Sequence, residues 1–232
     1  PRAVLVLALD TSSPTVTVAL CETHAGDVRV RAERAETAEN RHGERLAPLI
    51  AAVLRDVATT VDVLEGIVVG LGPAPFTGLR VGIMTARAMS DALGIPAYGV
   101  CSLDGIAHRY AGSEGSFAVV TDARRKQVYW ARYDETGARL DGPELGTPTD
   151  VAALLSGHTT EVAGAGALLY RDAFAGFALR DGDPAPRAAD LVWRADFTSS
   201  SEDLAPLYLR RPDAQVPGKP KAVTPAVKAA ES

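Results

Sequence analysis

The chain has 232 residues, of which 47% are hydrophobic and 23% charged, and its formal net charge is −5. This composition is typical of a globular protein with one large domain or two small ones, and the negative net charge argues against a generally basic nucleic-acid-binding protein. The longest clean apolar run, Val4 to Leu9, is too short to cross a membrane, and Cys21 and Cys101 are too isolated to indicate a disulfide framework or a cysteine metal site. We therefore expect a cytoplasmic protein that makes no membrane contact.

The first hundred residues alternate between strand and helix patterns. Apolar runs and period-two alternation predict strands, and apolar residues at helical spacing predict helices. The predicted strands are 4–9, 15–21, 28–34, 67–71 and 97–100, and the predicted helices are 44–58 and 79–93.

The middle of the chain repeats the pattern of its beginning. The segment "VVTDARRKQVYWARY" resembles "LALDTSSPTVTVAL": Asp10 and Asp122 each end an apolar run, and apolar residues follow each of them at offsets of six, eight and nine. Two matched hairpins predict a duplicated mixed-sheet α/β domain. We predict lobes at 1–105 and 106–211, followed at 212–232 by a tail whose composition predicts disorder.

The loop "GLGPAPFTGLR" joins a predicted strand to a predicted helix and is a candidate phosphate cradle. Pro73 and Pro75 have no N–H to donate, and the loop lacks the lysine ending of a P-loop. Thr77 is suited to cap the following helix, whereas Arg80 in the first turn requires a nearby carboxylate, such as Asp10, or a phosphate. We therefore predict a structural loop, formed by Gly72, Pro73, Phe76, Thr77, Gly78 and Arg80.

Asp10, Thr11 and Ser12, together with Asp122, are candidates for holding magnesium and a nucleotide, because an aspartate at a strand end beside hydroxyls can do so. The turn lacks the glycine that a close backbone approach to phosphate favours, so an ordinary turn is the preferred interpretation. We predict no bound cofactor, no metal and no catalytic residue.

Both predicted helices carry apolar or small residues on two faces, so they must be covered on two sides, by the protein's own second lobe or by a partner. The candidate partner interface consists of Leu46, Ile50, Val53, Leu54, Val81, Met84, Thr85, Ala88 and Met89. Arg124, Arg125 and Lys126 cluster in the second hairpin turn, where a solvated turn is the simpler interpretation and contact with RNA or a partner the alternative.

Several motifs together resemble the TsaB (YeaZ) family, whose members assist in making threonylcarbamoyladenosine on tRNA. They are "LALDTSS", "GLGPAPFTGLRVGIMTARAMSDALGIP", "GVCSLDGIA", "TDARRKQVYWARY" and "LAPLYLRRPD", in this order from about Val4 to Arg211. In one respect the chain departs from the family pattern, since Ala74 and Pro75 replace a Gly-Ser pair in the loop.

The resemblance implies two actin-like (ASKHA) lobes and a non-catalytic scaffold role. The catalytic partner would be a TsaD-like subunit that binds a metal through paired histidines, and Leu46, four residues after His42, breaks that pair here. ATP and the metal are expected on partner subunits, which include a TsaE-like ATPase, and tRNA is expected to be met through the complex. Alone, the chain is expected to form a homodimer. The alternative is an actin-like ATPase or small-molecule kinase with Asp10 and Asp122 facing each other across the inter-lobe cleft.

Overall fold

The computed structural model describes residues 2–38, 41–74, 76–112, 114–198 and 204–210. These residues build two five-stranded mixed sheets with helices packed against them. The predicted tail at 212–232 lies outside the described residues. Within the described part of the chain, no helix has both the length and the apolarity that a bilayer crossing requires.

The first sheet is formed by strands from the first hundred residues. Its strands are β1 (Val4–Asp10), β2 (Thr15–His24), β3 (Asp27–Thr37), β4 (Gly66–Gly70) and β5 (Ala97–Val100). They lie in the order β3-β2-β1-β4-β5, antiparallel in the β1–β2–β3 meander and parallel across β1, β4 and β5. The central strand β1 is buried on both faces, which explains why its sequence is a continuous apolar run.

The second sheet repeats this arrangement. Its strands are β6 (Phe117–Asp122), β7 (Val128–Tyr133), β8 (Arg139–Gly146), β9 (Glu161–Ala163) and β10 (Ala178–Leu179). The order β8-β7-β6-β9-β10 matches β3-β2-β1-β4-β5, with the same antiparallel meander and parallel neighbours. The prediction of two actin-like lobes from a duplicated α/β domain is therefore confirmed.

Helices cover both faces of the first sheet. The described α-helices are α1 (His42–Asp56), α2 (Phe76–Leu93), α3 (Ser102–His108), α4 (Pro148–Leu155), α5 (Ala165–Leu169) and α6 (Ala188–Val192). Leu7 and Leu9 of β1 belong to a core cluster with residues of α1 and α2, whereas Val6 and Ala8 face residues of α6. In the second lobe α4 and α5 supply the corresponding layer on β6 and β7.

Elements late in the chain hold the two lobes together. Helix α6 packs on the first sheet although it follows the second one in sequence. The segment 204–210 then buries Leu204 in the first-lobe core and packs Leu207 and Leu209 against the second-lobe core. The Leu207 N–H donates to the carbonyl of Leu71 at 2.8 Å. Helix α6 and the segment 204–210 therefore hold the two lobes together. Both contact the first lobe, although in sequence they lie beyond its predicted end at residue 105.

Two helix boundaries differ from those predicted. Helix α1 begins at His42 and ends at Asp56, because Ala58 adopts a left-handed φ of 52° and the Thr59 N–H turns back to the carbonyl of Leu54. Helix α2 begins at Phe76, so Thr77 is the second helical residue and the prediction that it caps this helix is wrong.

Candidate functional site

Asp10 lies at the end of β1 and is fully buried. Its Oδ1 accepts hydrogen bonds from the backbone N–H of Ser12 at 2.7 Å and from the Ser12 hydroxyl at 2.6 Å, and its Oδ2 accepts one from the Ser102 hydroxyl at 2.6 Å. Burial raises the pKa of Asp10, against the opposing effect of the hydrogen bonds from Ser102 and Ser12. Both carboxylate oxygens are therefore engaged inside the protein, which argues against the candidate role of Asp10 and Ser12 in holding a metal or a nucleotide.

The backbone around Asp10 leaves no room for a ligand on the side of β4. A Cβ added to Gly70 would lie 2.1 Å from Asp10 Oδ2 and 2.7 Å from Ser102 Oγ. The same Ser102 hydroxyl accepts a hydrogen bond from the Gly72 N–H at 3.2 Å. Ser102 thus connects the carboxylate of β1 to the start of the glycine- and proline-rich loop.

Thr11 joins the first hairpin to helix α2. Its hydroxyl donates to the carbonyl of Gly78 at 2.9 Å and accepts from the N–H of Gly82 at 3.1 Å, and the side chain is buried. A Cβ at Gly82 would lie 2.5 Å from this hydroxyl, so the helix approaches the turn as closely as a glycine permits. The Thr11 hydroxyl therefore has both a donor and an acceptor contact with the backbone of α2.

Arg80 has a different partner from the one expected. Its Nε donates to the hydroxyl of Tyr208 at 2.8 Å, and its guanidinium lies 5.9 Å from the centre of that ring. Asp10, suggested as the compensating carboxylate, instead accepts from serines. Tyr208 lies 128 residues further along the chain, so this contact is tertiary and cannot be predicted from a local sequence pattern.

Asp122 is partly exposed, and it does not occupy the position of Asp10 in the repeat. Asp10 pairs across its hairpin with Thr17, seven residues on, whereas Asp122 pairs with Val128, six residues on. The Asp122 carboxylate accepts from the N–H of Arg124 at 2.9 Å, an ordinary Asx-type turn contact. The equal offsets in the sequence therefore identify the two repeated hairpins correctly. They align Asp122 with Asp10, although the positions of these two residues in the hairpins differ by one residue.

His42 and the two cysteines have structural surroundings in the described part of the chain. No group of three or more His, Cys, Asp or Glu side chains is placed there to hold a metal ion. His42 Nε2 instead donates to the carbonyl of Ser13 at 2.9 Å. Cys21 and Cys101 are unbonded and buried, and burial raises the pKa of each thiol to about 12, so neither is a ready thiolate.

An apolar groove runs along the outer side of α2. The groove is shallow and open to solvent, has a volume of about 530 Å³ and is lined by Val61, Met84, Thr85, Ala88, Met89, Ala92 and Leu93. Met84 is 59% exposed although it is a large apolar side chain. The two methionines in the groove are the only two in the sequence. Methionine side chains adapt to irregular apolar partners, so this lining is suited to contact with another protein.

The candidate interface divides between this groove and the core. Met84, Thr85, Ala88 and Met89 line the groove, and Val81 is partly buried against the first-lobe core. In contrast, Leu46, Ile50, Val53 and Leu54 are buried in that core. The α1 part of the predicted interface is therefore corrected: the chain itself covers these four side chains, which face β2 and α2.

Sequence reasoning missed several residues that shape this region. Ser102 stands in the quoted segment "GVCSLDGIA", but its contact with Asp10 spans 92 residues and depends on the packing of β5 beside β4. Val61, Ala92 and Leu93 of the groove were also missed. The spacing of Ala92 and Leu93 after Met89 on α2 is the one signal that places them on the same helix face.

The comparisons with known proteins agree with this architecture. Residues 32–163 match the family model described as TsaD, tRNA N6-adenosine threonylcarbamoyltransferase. The chain is 30% identical over 237 residues to the tRNA threonylcarbamoyladenosine biosynthesis protein TsaB of Escherichia coli, covering 92% of this chain and 99% of that protein. The chain belongs to the TsaB family.

Two further similarities cover most of the TsaB-like chain. It is 45% identical over 219 residues to an uncharacterized protein of Mycobacterium tuberculosis, covering 94% of this chain and 95% of the relative. The solved structure of YeaZ from Pseudomonas aeruginosa matches with a TM-score of 0.69 and 27% identity, over 89% of this chain and all of the other. The family resemblance found in the motifs is thus confirmed over nearly the whole described chain.

Proposed function

We propose that this chain is a non-catalytic partner subunit in the biosynthesis of threonylcarbamoyladenosine on tRNA, and that the α2 groove docks its TsaD-like catalytic subunit. The observation that carries the proposal is the groove itself, a shallow apolar surface with a 59% exposed methionine. It lies on a chain that is similar to proteins named for threonylcarbamoyladenosine biosynthesis on tRNA. The scaffold role is supported by Asp10, whose buried carboxylate is fully engaged by serines.

The groove has the chemistry of a helix-binding surface. Met84 and Ala88 are four residues apart and exposed on α2, and Met89 with Leu93 continues the same side of the helix. Small residues allow a partner helix to approach closely, while methionines fill the remaining space. A helix of the catalytic subunit with apolar residues at helical spacing is the occupant that fits this lining.

The rest of the complex follows from this role. ATP and the catalytic metal are bound by partner subunits, a TsaE-like ATPase among them, and tRNA is met through the assembled complex in the cytoplasm. Without the catalytic subunit, the exposed apolar groove closes against a second copy of this chain, because association removes the same apolar side chains from water. The homodimer is therefore the resting form of the free protein.

Calorimetric titration of the catalytic subunit with variants of this chain tests the groove. Met84→Glu removes a large apolar contact and places a charge in the interface, so we expect the binding free energy to weaken by about 2 kcal/mol or more, which is about thirtyfold in Kd. Leu169→Glu is the matched control, because Leu169 is 60% exposed but lies on α5 of the second lobe. Equal binding by the two folded variants would contradict the proposed surface.

A further inference from the structure

Basic side chains from three parts of the sequence are linked through the segment 204–210, although the chain as a whole has a net charge of −5. We call this region the basic edge; its members are Arg80 at the start of α2, the β6–β7 turn residues Arg124, Arg125 and Lys126, and Arg210 at the end of the described segment 204–210. The group comes from three separate parts of the sequence. The positive charge of the basic edge therefore arises from the fold and cannot be seen from the net charge of the chain.

The turn at the centre of the basic edge has an unusual backbone. Arg124, Arg125 and Lys126 have φ values of 63°, 53° and 57°, so three successive residues with long side chains occupy the left-handed region. That region is costly for residues other than glycine, asparagine and aspartate, and such strain concentrates at functional sites. The three residues are exposed at the tip of the hairpin.

Hydrogen bonds hold the turn in this conformation. The Arg124 N–H donates to the Asp122 carboxylate at 2.9 Å, and the Gln127 N–H donates to the Arg124 carbonyl at 3.0 Å. Arg210 donates from Nη2 to the side-chain oxygen of Gln127 and, at 3.4 Å, to the Arg124 carbonyl. The surrounding structure thus fixes a conformation that the three residues do not favour by themselves.

The segment 204–210 connects this turn to the first lobe. Two residues before Arg210, the Tyr208 hydroxyl accepts a hydrogen bond from Arg80 Nε at 2.8 Å. The segment 204–210 thus contacts Arg80 of α2 through Tyr208 and the β6–β7 turn through Arg210. The ion pair from Arg124 to Asp122 is long, at 3.8 Å, and the Arg124 side chain is 63% exposed. This geometry leaves the Arg124 guanidinium accessible to a stronger anionic partner.

We propose that the basic edge binds the phosphate backbone of RNA. The inference rests on the proposed function, in which the RNA is the tRNA that the complex modifies. Arginine guanidiniums bind phosphates in a bidentate manner, and cations spread along an edge match the repeated charges of a nucleic-acid strand better than a single anion. Such contacts carry no base specificity, so the edge orients the RNA and leaves recognition of the modified adenosine to the catalytic subunit.

The test is RNA binding as a function of salt, measured by fluorescence anisotropy with a labelled RNA stem-loop and a full-length tRNA transcript. The full chain is used alone and in complex with the catalytic subunit. The test variant carries Arg124→Asn, Arg125→Asn and Lys126→Asn, because asparagine tolerates a left-handed φ and removes the charge. The matched control is the triple variant R29Q/R31Q/R55Q, which changes the net charge equally on β3 and α1.

We expect the turn variant to lose at least tenfold in RNA affinity at about 0.1 M salt, and its dependence of log K on log salt to flatten by about two to three. The control should stay within about twofold of the native chain. Equal RNA affinity of the turn variant and the control, or no RNA binding by the native chain at about 0.02 M salt in either form, would overturn the inference.

The same samples separate this inference from the proposed function. Complex formation with the catalytic subunit is measured for each variant by light scattering. A turn variant that keeps RNA binding but loses the catalytic subunit would show that the basic edge is a protein interface, which overturns the inference. If the native chain fails to bind the catalytic subunit, the proposed function fails, while anisotropy on the free chain still reports whether the edge holds RNA.

Discussion

Removing the Ser102 hydroxyl should destabilise the protein much more than removing the Ser12 hydroxyl, although both groups donate to the same carboxylate. Ser102 is 2% exposed and takes part in two hydrogen bonds, one to Asp10 Oδ2 and one from the Gly72 N–H. Ser102→Ala therefore leaves a buried carboxylate oxygen and a buried N–H without that partner. Ser12 is only half-buried, and its backbone N–H continues to donate to Oδ1 after Ser12→Ala.

The magnitudes follow from the number of groups left unsatisfied. Each of the two buried unsatisfied groups costs about 1 to 3 kcal/mol, so Ser102→Ala should lower the free energy of unfolding by about 2 to 6 kcal/mol. For a protein of this size that corresponds to a Tm decrease of about 4 to 24 °C. Ser12→Ala should cost about 1 kcal/mol or less, because the Ser12 N–H still donates to Oδ1 and the lost hydroxyl is only half-buried.

Urea unfolding of the two variants at pH 7.5 and pH 5 checks this prediction. Burial raises the pKa of Asp10, so its protonation favours the folded state, and the stability it contributes is lost as pH rises above the unfolded value. Loss of the Ser102 hydrogen bond raises that pKa further, and the deficit of Ser102→Ala should be larger at pH 7.5 than at pH 5. Equal destabilisation by Ser12→Ala and Ser102→Ala would refute the reasoning.

Three further predictions concern the core and the titration of the inter-lobe region. Leu46→Ala should lower the free energy of unfolding, measured by urea titration, by about 2 to 5 kcal/mol, because Leu46 is 1% exposed. Met84→Ala should lower it by under about 1 kcal/mol, because Met84 is 59% exposed. Similar losses for the two variants would show that α1 is not covered as described. Gly70→Ala should cost about 3 kcal/mol or more, or prevent folding, because the new Cβ would lie 2.1 Å from Asp10 Oδ2, and a native Tm would contradict this. Burial raises the pKa of Asp190 to about 6, so the stability that the protonated carboxyl contributes is present below about pH 4 and is lost as pH rises to about 6. The Tm of the native chain, measured relative to that of Asp190→Asn, should therefore fall between these pH values. A constant Tm difference between the two proteins would contradict this prediction.

The repeat and the central strands could be predicted because their determinants are local. The apolar run of β1 and the alternation of β2 depend on burial of adjacent residues, and the same pattern recurs in β6 and β7. The position of Asp122 relative to Asp10 could not be predicted from the sequence. The same offsets separate each aspartate from the apolar residues that follow it, although the two hairpin turns differ in length by one residue. Register is set by pairing across the sheet, which a single sequence does not display.

The candidate surface was only half predictable for a related reason. Apolar residues on both α1 and α2 indicate that each helix is covered on more than one side, but they do not say by what. In the structure Leu46 and Leu54 face the chain's own core, while Met84 and Ala88 remain exposed. The distinction depends on α1 packing over β2 and against α2, which is a tertiary property.

The proposed scaffold role depends most directly on whether this chain binds a TsaD-like subunit. Size-exclusion chromatography with light scattering, on the native chain alone and mixed with the catalytic subunit of the same organism, measures this without any substitution. We predict a homodimer for the chain alone and a one-to-one complex in the mixture, formed at the expense of that homodimer. Two species that keep their separate masses, even with tRNA and ATP present, would contradict the scaffold role.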